Sequence, residues 1–502
     1  MEEVRAQPLQ VVRDVLTQTS RGLGGPLADA VRGVQGRLDS PIRLLVAGRV
    51  SVGKSTLVNA LLRQRVARTD AGPCTQAVVR YAFGSQQRAV VHCRDGQSLT
   101  IPLTRAGRLP ASLPVPPQEV VVVDVFLASR YLAGPTGLTL VDTPGLSAVD
   151  QHPDGTLRQV LDGLAHGDAS PMEIDAVVFV LGERVHNDEI NALRDLRERA
   201  GGRTGGSVSA IGVVTKADLF RKDDHDPMLL ARQRACQHAV VLRDLVSSVL
   251  PVSGLLAETG ATSALREDDA AALEALAGEL GGDYAALDWR SSFLQESPKI
   301  GLLQRRRLMS LLDVYGLRST VQSIDGGARG AVQLSSALVK LSGIEDLRCA
   351  LRERLRGERE ALRAGWALQR LSQLTFAPGL RGSPGLAELG EAVEALTLST
   401  SLHRLRELEL RYLAETDGFE DAGLSADALR LTGRGTLAER LDAPDDSHLA
   451  DSAGRGVARW RRYLATAPSP RQARSAYTAI VSYEIAWDEV EGGARDTARA
   501  VP

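Results

Sequence analysis

Gly48-Arg49-Val50-Ser51-Val52-Gly53-Lys54-Ser55 has the composition and spacing of a loop that wraps phosphate. Glycines at 48 and 53 let backbone N–H groups approach an anion with no side chain in the way. Lys54 brings a compact positive charge to the β- and γ-phosphates, and the Ser55 hydroxyl offers a hard oxygen to Mg²⁺. Asp142-Thr143-Pro144-Gly145 sets a carboxylate at the end of an apolar run, where it is costly unless it meets a cation. Asp142 is therefore the expected second holder of Mg²⁺, through water, and the N–H of Gly145 the expected sensor of the γ-phosphate. Thr215-Lys216-Ala217-Asp218 supplies the base end. The Asp218 carboxylate can accept from guanine N1–H and the 2-amino group, a pair of donors that adenine lacks, and the Lys216 stem can lie over the ring. Val252-Ser253-Gly254 suits a backbone loop touching guanine O6.

These motifs point to GTP and GDP as ligands, with Mg²⁺. Gly48, Val50, Ser51, Val52, Gly53, Lys54, Ser55 and Thr56 would surround the phosphates, with Asp142 and Gly145 beside them. Thr215, Lys216, Asp218, Ser253 and Gly254 would hold the base. For hydrolysis, Lys54, Ser51 and Thr75 are the candidate catalytic groups. Thr75 lies in Ala71-Gly72-Pro73-Cys74-Thr75, a loop leading into the next strand, and would add a hydroxyl for the metal and a carbonyl for the attacking water; Thr69 is its rival. The metal set is then Ser55, Thr75 and Asp142. Of the five lysines, Lys54, Lys216, Lys222, Lys299 and Lys340, two fall inside these motifs, which makes coincidence improbable.

Such groups need elements to hold them. The phosphate loop follows the apolar run Ile42–Val46 and opens a helix at Ser55–Leu62; Asp142 ends Leu138–Val141, and Thr215 follows Ala210–Val214. With Val120–Val123 and Ala176–Leu181, these short runs read as strands buried on both faces of a mostly parallel sheet, with helices on either side. Arg88–Pro102 reads as a hairpin turning at Asp95-Gly96. Residues 1–40 read as two short helices, the second carrying Leu27, Val31, Val34 and Leu38 at helical spacing. Beyond residue 262 strand signals nearly vanish. Ile344, Leu347, Leu351, Leu355, Leu362 and Trp366 trace one face of a long helix, and Tyr477, Ile480, Val481, Ile485 and Trp487 mark another near the C-terminus. The expected organisation is an N-terminal helical arm (1–40), an α/β head (41–262) and an elongated all-α region (263–502).

Bulk properties narrow the class of partner. Sixty basic residues against 62 acidic ones give a formal net charge of −2 over 502 residues, which argues against a protein that coats nucleic acid through its overall field. Cys74, Cys93, Cys236 and Cys349 have no paired spacing, as expected of reduced thiols in the cytoplasm. No apolar run reaches the roughly 20 residues that span a bilayer, so membrane contact is expected to be peripheral. Arg348, Arg352, Arg354, Arg356, Arg359 and Arg363 read first as a solvated helix face with Glu partners and second as a surface for acidic lipid. Phe376 and Leu380, in a Pro/Gly-rich loop, read either as a bundle cap or as a membrane-touching tip. His186-Asn187-Asp188-Glu189 reads as a helix start.

In their order, with a long helical half behind them, these motifs resemble the bacterial dynamin-like GTPases, and most closely their isoniazid-inducible actinobacterial branch. The residues that carry the likeness are Thr215-Lys216-Ala217-Asp218, Gly53–Leu62, Leu311–Leu317 and Ser342–Leu347. The resemblance implies a GTPase head, a helical neck and trunk from N- and C-terminal segments, and heads that associate with their own kind or with a second dynamin-like chain. It also implies work on membrane lipid, and the near-neutral charge adds the expectation of no nucleic-acid partner. A neck would pair Leu27–Leu38 with Tyr477–Trp487. Two departures bear on catalysis. Leu146 follows Gly145 where Ras-like enzymes carry a water-orienting Gln, and Val50 stands where many eukaryotic dynamins carry a Gln. They leave open an alternative, a nucleotide-controlled scaffold or switch with negligible hydrolysis.

Overall fold

The computed structural model describes residues 8–67, 77–145, 174–201, 209–220, 226–295, 300–399, 402–415 and 419–499, apart from 106, 111, 130, 134–136, 243–244, 285–286, 288 and 434. The chain divides into two compact units, one of residues 41–195 with 209–355, the other of 1–40, 196–208 and 356–502.

The first unit is organised by a nine-stranded sheet: β1 (Ile42–Gly48), β2 (Val78–Phe83), β3 (Arg88–Cys93), β4 (Ser98–Ile101), β5 (Val120–Leu127), β6 (Leu138–Asp142), β7 (Ala176–Leu181), β8 (Ser209–Val214) and β9 (Ser248–Pro251). Their order is β4-β3-β5-β2-β6-β1-β7-β8-β9. From β6 to β9 every neighbour runs parallel, whereas β2 is antiparallel to β6, and β3 and β4 form an antiparallel hairpin at the far edge. The hairpin turns through Gly96 at φ +84°, which glycine adopts freely. The parallel centre is apolar on both faces: Leu44 and Val46 are fully buried on one, Leu45, Val177 and Phe179 on the other. That is why these strands appear in the sequence as continuous rather than alternating apolar runs.

Helices Glu267–Leu280, Leu302–Asp325 and Gly330–Leu341 lie in this same unit and bury Leu273, Leu308, Leu312, Leu317, Leu334 and Leu338 together. Ile344, Leu347 and Leu351, at the start of the helix Ile344–Thr375, join the core that covers the sheet. Arg348 is anchored there rather than offered to a surface, donating to the Ala60 carbonyl at 2.7 Å and pairing with Glu345 at 2.6 Å.

In the second unit the helices Pro8–Thr19 and Gly25–Asp39 bury Leu16, Leu27, Val31, Val34 and Leu38 against Ala364, Ala367, Leu371 and Leu374. Arg363 is buried among them, donating to the carbonyls of Leu38, at 2.6 Å, and of Ser40. It is neither a solvated nor a lipid-facing side chain. The segments Leu27–Leu38 and Tyr477–Trp487, expected to pair, enter different cores. Ile480 and Tyr483 belong to a separate core around Trp460, Leu410 and Ala428, while Tyr477 is exposed. An amphipathic stripe announces that it will be buried but not against what, because apolar contact is non-directional. In the Pro/Gly-rich loop Leu380 packs against the core of the early helices, while Phe376 is 79% exposed. Among the described residues no helix is long and apolar enough to cross a membrane.

Candidate nucleotide site

In a parallel sheet, ligands collect beyond the carboxyl ends of the strands, near the point where strand order reverses. Here that point is β1, flanked by β6 and β7. The phosphate loop leaves β1, Asp142 ends β6, Thr215–Asp218 follows β8 and Ser253 follows β9, so all lie along one edge of the sheet. Gly48 passes close to β7; a Cβ there would come within 2.4 Å of the Val180 carbonyl oxygen. Gly53 has φ +106° and starts the helix Lys54–Leu62, and Ser51 is held at φ +59°. The loop thus departs from the conformation ordinary residues prefer, in the way that turns backbone N–H groups towards a bound anion.

Lys54 is buried, and its Nζ donates to the Arg49 carbonyl at 2.8 Å, which spans the loop. Burial lowers its pKa from the ordinary lysine value, and the Asp142 charge opposes that. Ser55 Oγ donates weakly to Asp142 Oδ2 at 3.4 Å, and Asp142 Oδ1 is buried without a hydrogen-bond partner. Burial pushes the Asp142 carboxyl up to about 6, against the pull of Lys54 and Ser55. A buried carboxylate beside a serine hydroxyl, with one oxygen unsatisfied, is a hard-oxygen donor set of the kind Mg²⁺ takes. Gly145 lies against the phosphate loop, where a Cβ would fall 2.5 Å from the Val50 Cα. Val50 itself is 55% exposed at the loop tip. Thr75, with its rival Thr69, and Leu146 lie outside the described residues.

At the base end Thr215 is buried, its hydroxyl donating to the Val52 carbonyl and so tying the end of β8 to the phosphate loop. Lys216 is exposed at φ +54°, and the turn Ala217–Leu219 follows. Asp218 is buried and Ser253 Oγ donates to its Oδ1 at 2.7 Å. Burial raises the Asp218 pKa above the usual carboxylate value, and the nearby Asp313 charge adds to the rise. Gly254 lies beside Thr56, 3.5 Å from a Cβ built on the glycine.

Residues 44–216 match the model of the dynamin family. The isoniazid-induced protein IniC, from two strains of Mycobacterium tuberculosis, is 31% identical over 343 residues, 64% of this chain and 66% of that protein. This chain is a bacterial dynamin-like protein. Its match spans 66% of the length of those relatives, slightly under two thirds. A bacterial dynamin-like protein from Nostoc punctiforme is 28% identical over 132 residues, 24% of this chain and 18% of that one. A solved structure of an oligomerised bacterial dynamin pair, described as a mechanism for long-range sensing and tethering of membranes, aligns over 98% of this chain and 91% of its own. That alignment has a TM-score of 0.34 at 12% identity, too low to bear on the fold.

Beside the segment Thr215–Asp218 lies a cleft with a volume of about 370 Å³. Gly53, Thr56, Thr215, Lys216, Asp218 and Gly254, all expected from the motifs, line it. So do Arg65, Arg108, Glu258, Ser310 and Asp313, which motif reading passes over. Glu258 is buried, accepting from Asn59 Nδ2 at 2.7 Å. The one sequence signal for Asp313 is its place as a lone acidic residue in the apolar run Leu311–Leu317. His186 and Glu189 act as a helix start: the His186 N–H donates to Glu189 Oε2 at 2.9 Å, and among the described residues no group of three or more His, Cys, Asp or Glu side chains could hold a metal ion.

Proposed function

We propose that this dynamin-like chain binds GTP and GDP with Mg²⁺, hydrolyses GTP, and associates through its heads in work at the surface of a membrane. The observation that carries the nucleotide reading is the convergence of Lys54, Asp142 and the Ser253–Asp218 pair on one edge of the sheet. In this reading Gly48, Val50, Ser51, Val52, Gly53, Lys54 and Thr56 hold the phosphates, Ser55 and Asp142 hold the metal, and Thr215, Lys216, Asp218, Ser253 and Gly254 hold the base. Bound Mg²⁺ would neutralise charge on the β- and γ-phosphate oxygens. Lys54 adds its own charge at the same oxygens, and the Gly145 N–H reports whether a γ-phosphate is present. Thr75 and Ser51 are the proposed remaining groups for the attacking water. Self-association and lipid contact rest on family membership. A cytoplasmic location, peripheral to the inner face of the cell membrane, is part of the same proposal.

Lys54→Ala is expected to abolish GTP binding measured by calorimetry, and unchanged binding would overturn the site. Asp218→Asn should shift preference from GTP towards xanthosine triphosphate. Steady-state phosphate release across protein concentrations, with and without liposomes, separates enzyme from switch. Turnover per head that climbs with concentration or lipid supports the proposal, and flat, near-zero turnover supports a nucleotide-controlled scaffold instead.

A further inference from the structure

The helix Leu302–Asp325 is broken at Asp313, whose φ of +51° and ψ of −170° lie in a region populated essentially by glycine. The surroundings hold the break in place. The buried Thr259 hydroxyl donates to the Leu311 carbonyl at 2.7 Å, and the Val314 N–H donates to Asp313 Oδ1 at 2.7 Å. Past the break, Gly316 lies so close to Leu256 that a Cβ would fall 2.4 Å from its Cδ2. A strained non-glycine residue kept at such a point suggests that its side chain has a task there.

That side chain lines the same cleft as Asp218 and Lys216. The charge of Asp313 reaches Asp218 strongly enough to help raise its pKa. Two carboxylates facing one cleft, which Lys216, Arg65 and Arg108 also line, can each accept from a ligand with several N–H donors on one edge. The guanine edge has three: N1–H and two on the 2-amino group.

We propose that Asp313 is a second reader of guanine, accepting one N–H of the 2-amino group while Asp218 accepts the other together with N1–H. This rests on the guanine reading of the cleft. It extends base recognition to a residue outside the head's motifs, on a helix that also packs Tyr315 against the Ala217–Met228 side of the site. The Val314 N–H holds one carboxylate oxygen and leaves the other for the ligand.

The test uses the full chain and three nucleotides: GDP, IDP, which lacks only the 2-amino group, and ADP. Asp313→Gly suits the backbone conformation and removes the carboxylate. It should weaken GDP about tenfold, the scale of a hydrogen bond to a charged group, and leave IDP affinity unchanged, which also shows that the variant is folded. Parallel loss of GDP and IDP, or no loss of either, would overturn the role of Asp313 and leave it a helix-break residue only. In that case the wild type's preference for GDP over ADP would keep the guanine reading intact. A wild type that does not distinguish GDP from ADP would overturn both.

Discussion

The Ser253 hydroxyl donates to Asp218 Oδ1 at 2.7 Å, and both side chains are buried. Ser253 also begins the helix Gly254–Ala261, its Oγ accepting from the Leu256 N–H at 3.4 Å. One hydroxyl thus aims the proposed base-reading carboxylate and caps a helix. Ser253→Ala should weaken GDP about tenfold through the lost charged hydrogen bond. It should also lower stability by about 1 kcal/mol through the lost cap. Calorimetric titration and thermal melting read the two effects separately; unaltered GDP affinity would mean that Asp218 needs no such orienting partner.

If Asp218 reads guanine as proposed, binding should be sensitive to acid. Its folded pKa is raised above the ordinary 3.8, by burial first. For the nucleotide-free protein this favours the folded state fully below pH 3.8, and the contribution is lost as pH rises through the raised value. Base binding runs the opposite way, because only the carboxylate accepts both guanine N–H groups. GDP affinity should therefore fall on acidification, at a pH above that of an ordinary aspartate. Titrations across pH should show this step in the wild type, and the idea fails if Asp218→Asn shows the same step.

Gly145 has no room for a side chain. A Cβ would meet Val50 at 2.5 Å from Cα and 2.7 Å from N, both backbone atoms that cannot swing aside. Gly145→Ala must displace either the segment after Asp142 or the phosphate loop. Because the γ-phosphate lies on that side in the proposed reading, phosphate release should drop at least tenfold, on the scale of losing one positioned donor, while GDP still binds. Normal turnover in a single-turnover assay would show that the segment tolerates the shift.

In the helical unit, buried Asp427 accepts from Trp460 Nε1 at 2.7 Å and from the Tyr483 hydroxyl at 3.0 Å, and pairs with Arg430 and Arg459. Gly456 lets the Tyr483 ring approach, since a Cβ would lie 2.4 Å from it. Asp427→Ala strands two buried donors at once and should cost about 3–5 kcal/mol in denaturant unfolding. GDP affinity should stay within about twofold, a change worth less than 0.5 kcal/mol. A large loss of nucleotide binding would contradict the assignment of this core and the site to two different compact units.

The phosphate loop, the Asp142 turn and the Thr215–Asp218 segment could be read directly because each is a contiguous stretch whose chemistry depends on its own backbone. The sheet was legible for a related reason: strands such as Ala176–Leu181, covered on both faces, must be apolar at every position. The stripes at Leu27–Leu38 and Tyr477–Trp487 were legible as stripes but not as partners, since burial carries no address. Arg363 looked like part of a charged helix face, and only the fold shows it feeding carbonyls of Leu38 and Ser40.

By itself, then, the sequence determined which motif residues stand at the strand ends along one edge of the sheet, the edge proposed to bind phosphate. The tertiary structure decided what completes that edge. It set Ser253 on Asp218, packed the helices of 267–341 into the same unit as the sheet, and broke one of them so that Asp313 lines the base cleft. These are contacts between segments far apart in the chain. They follow from how apolar faces found one another, which no local spacing encodes.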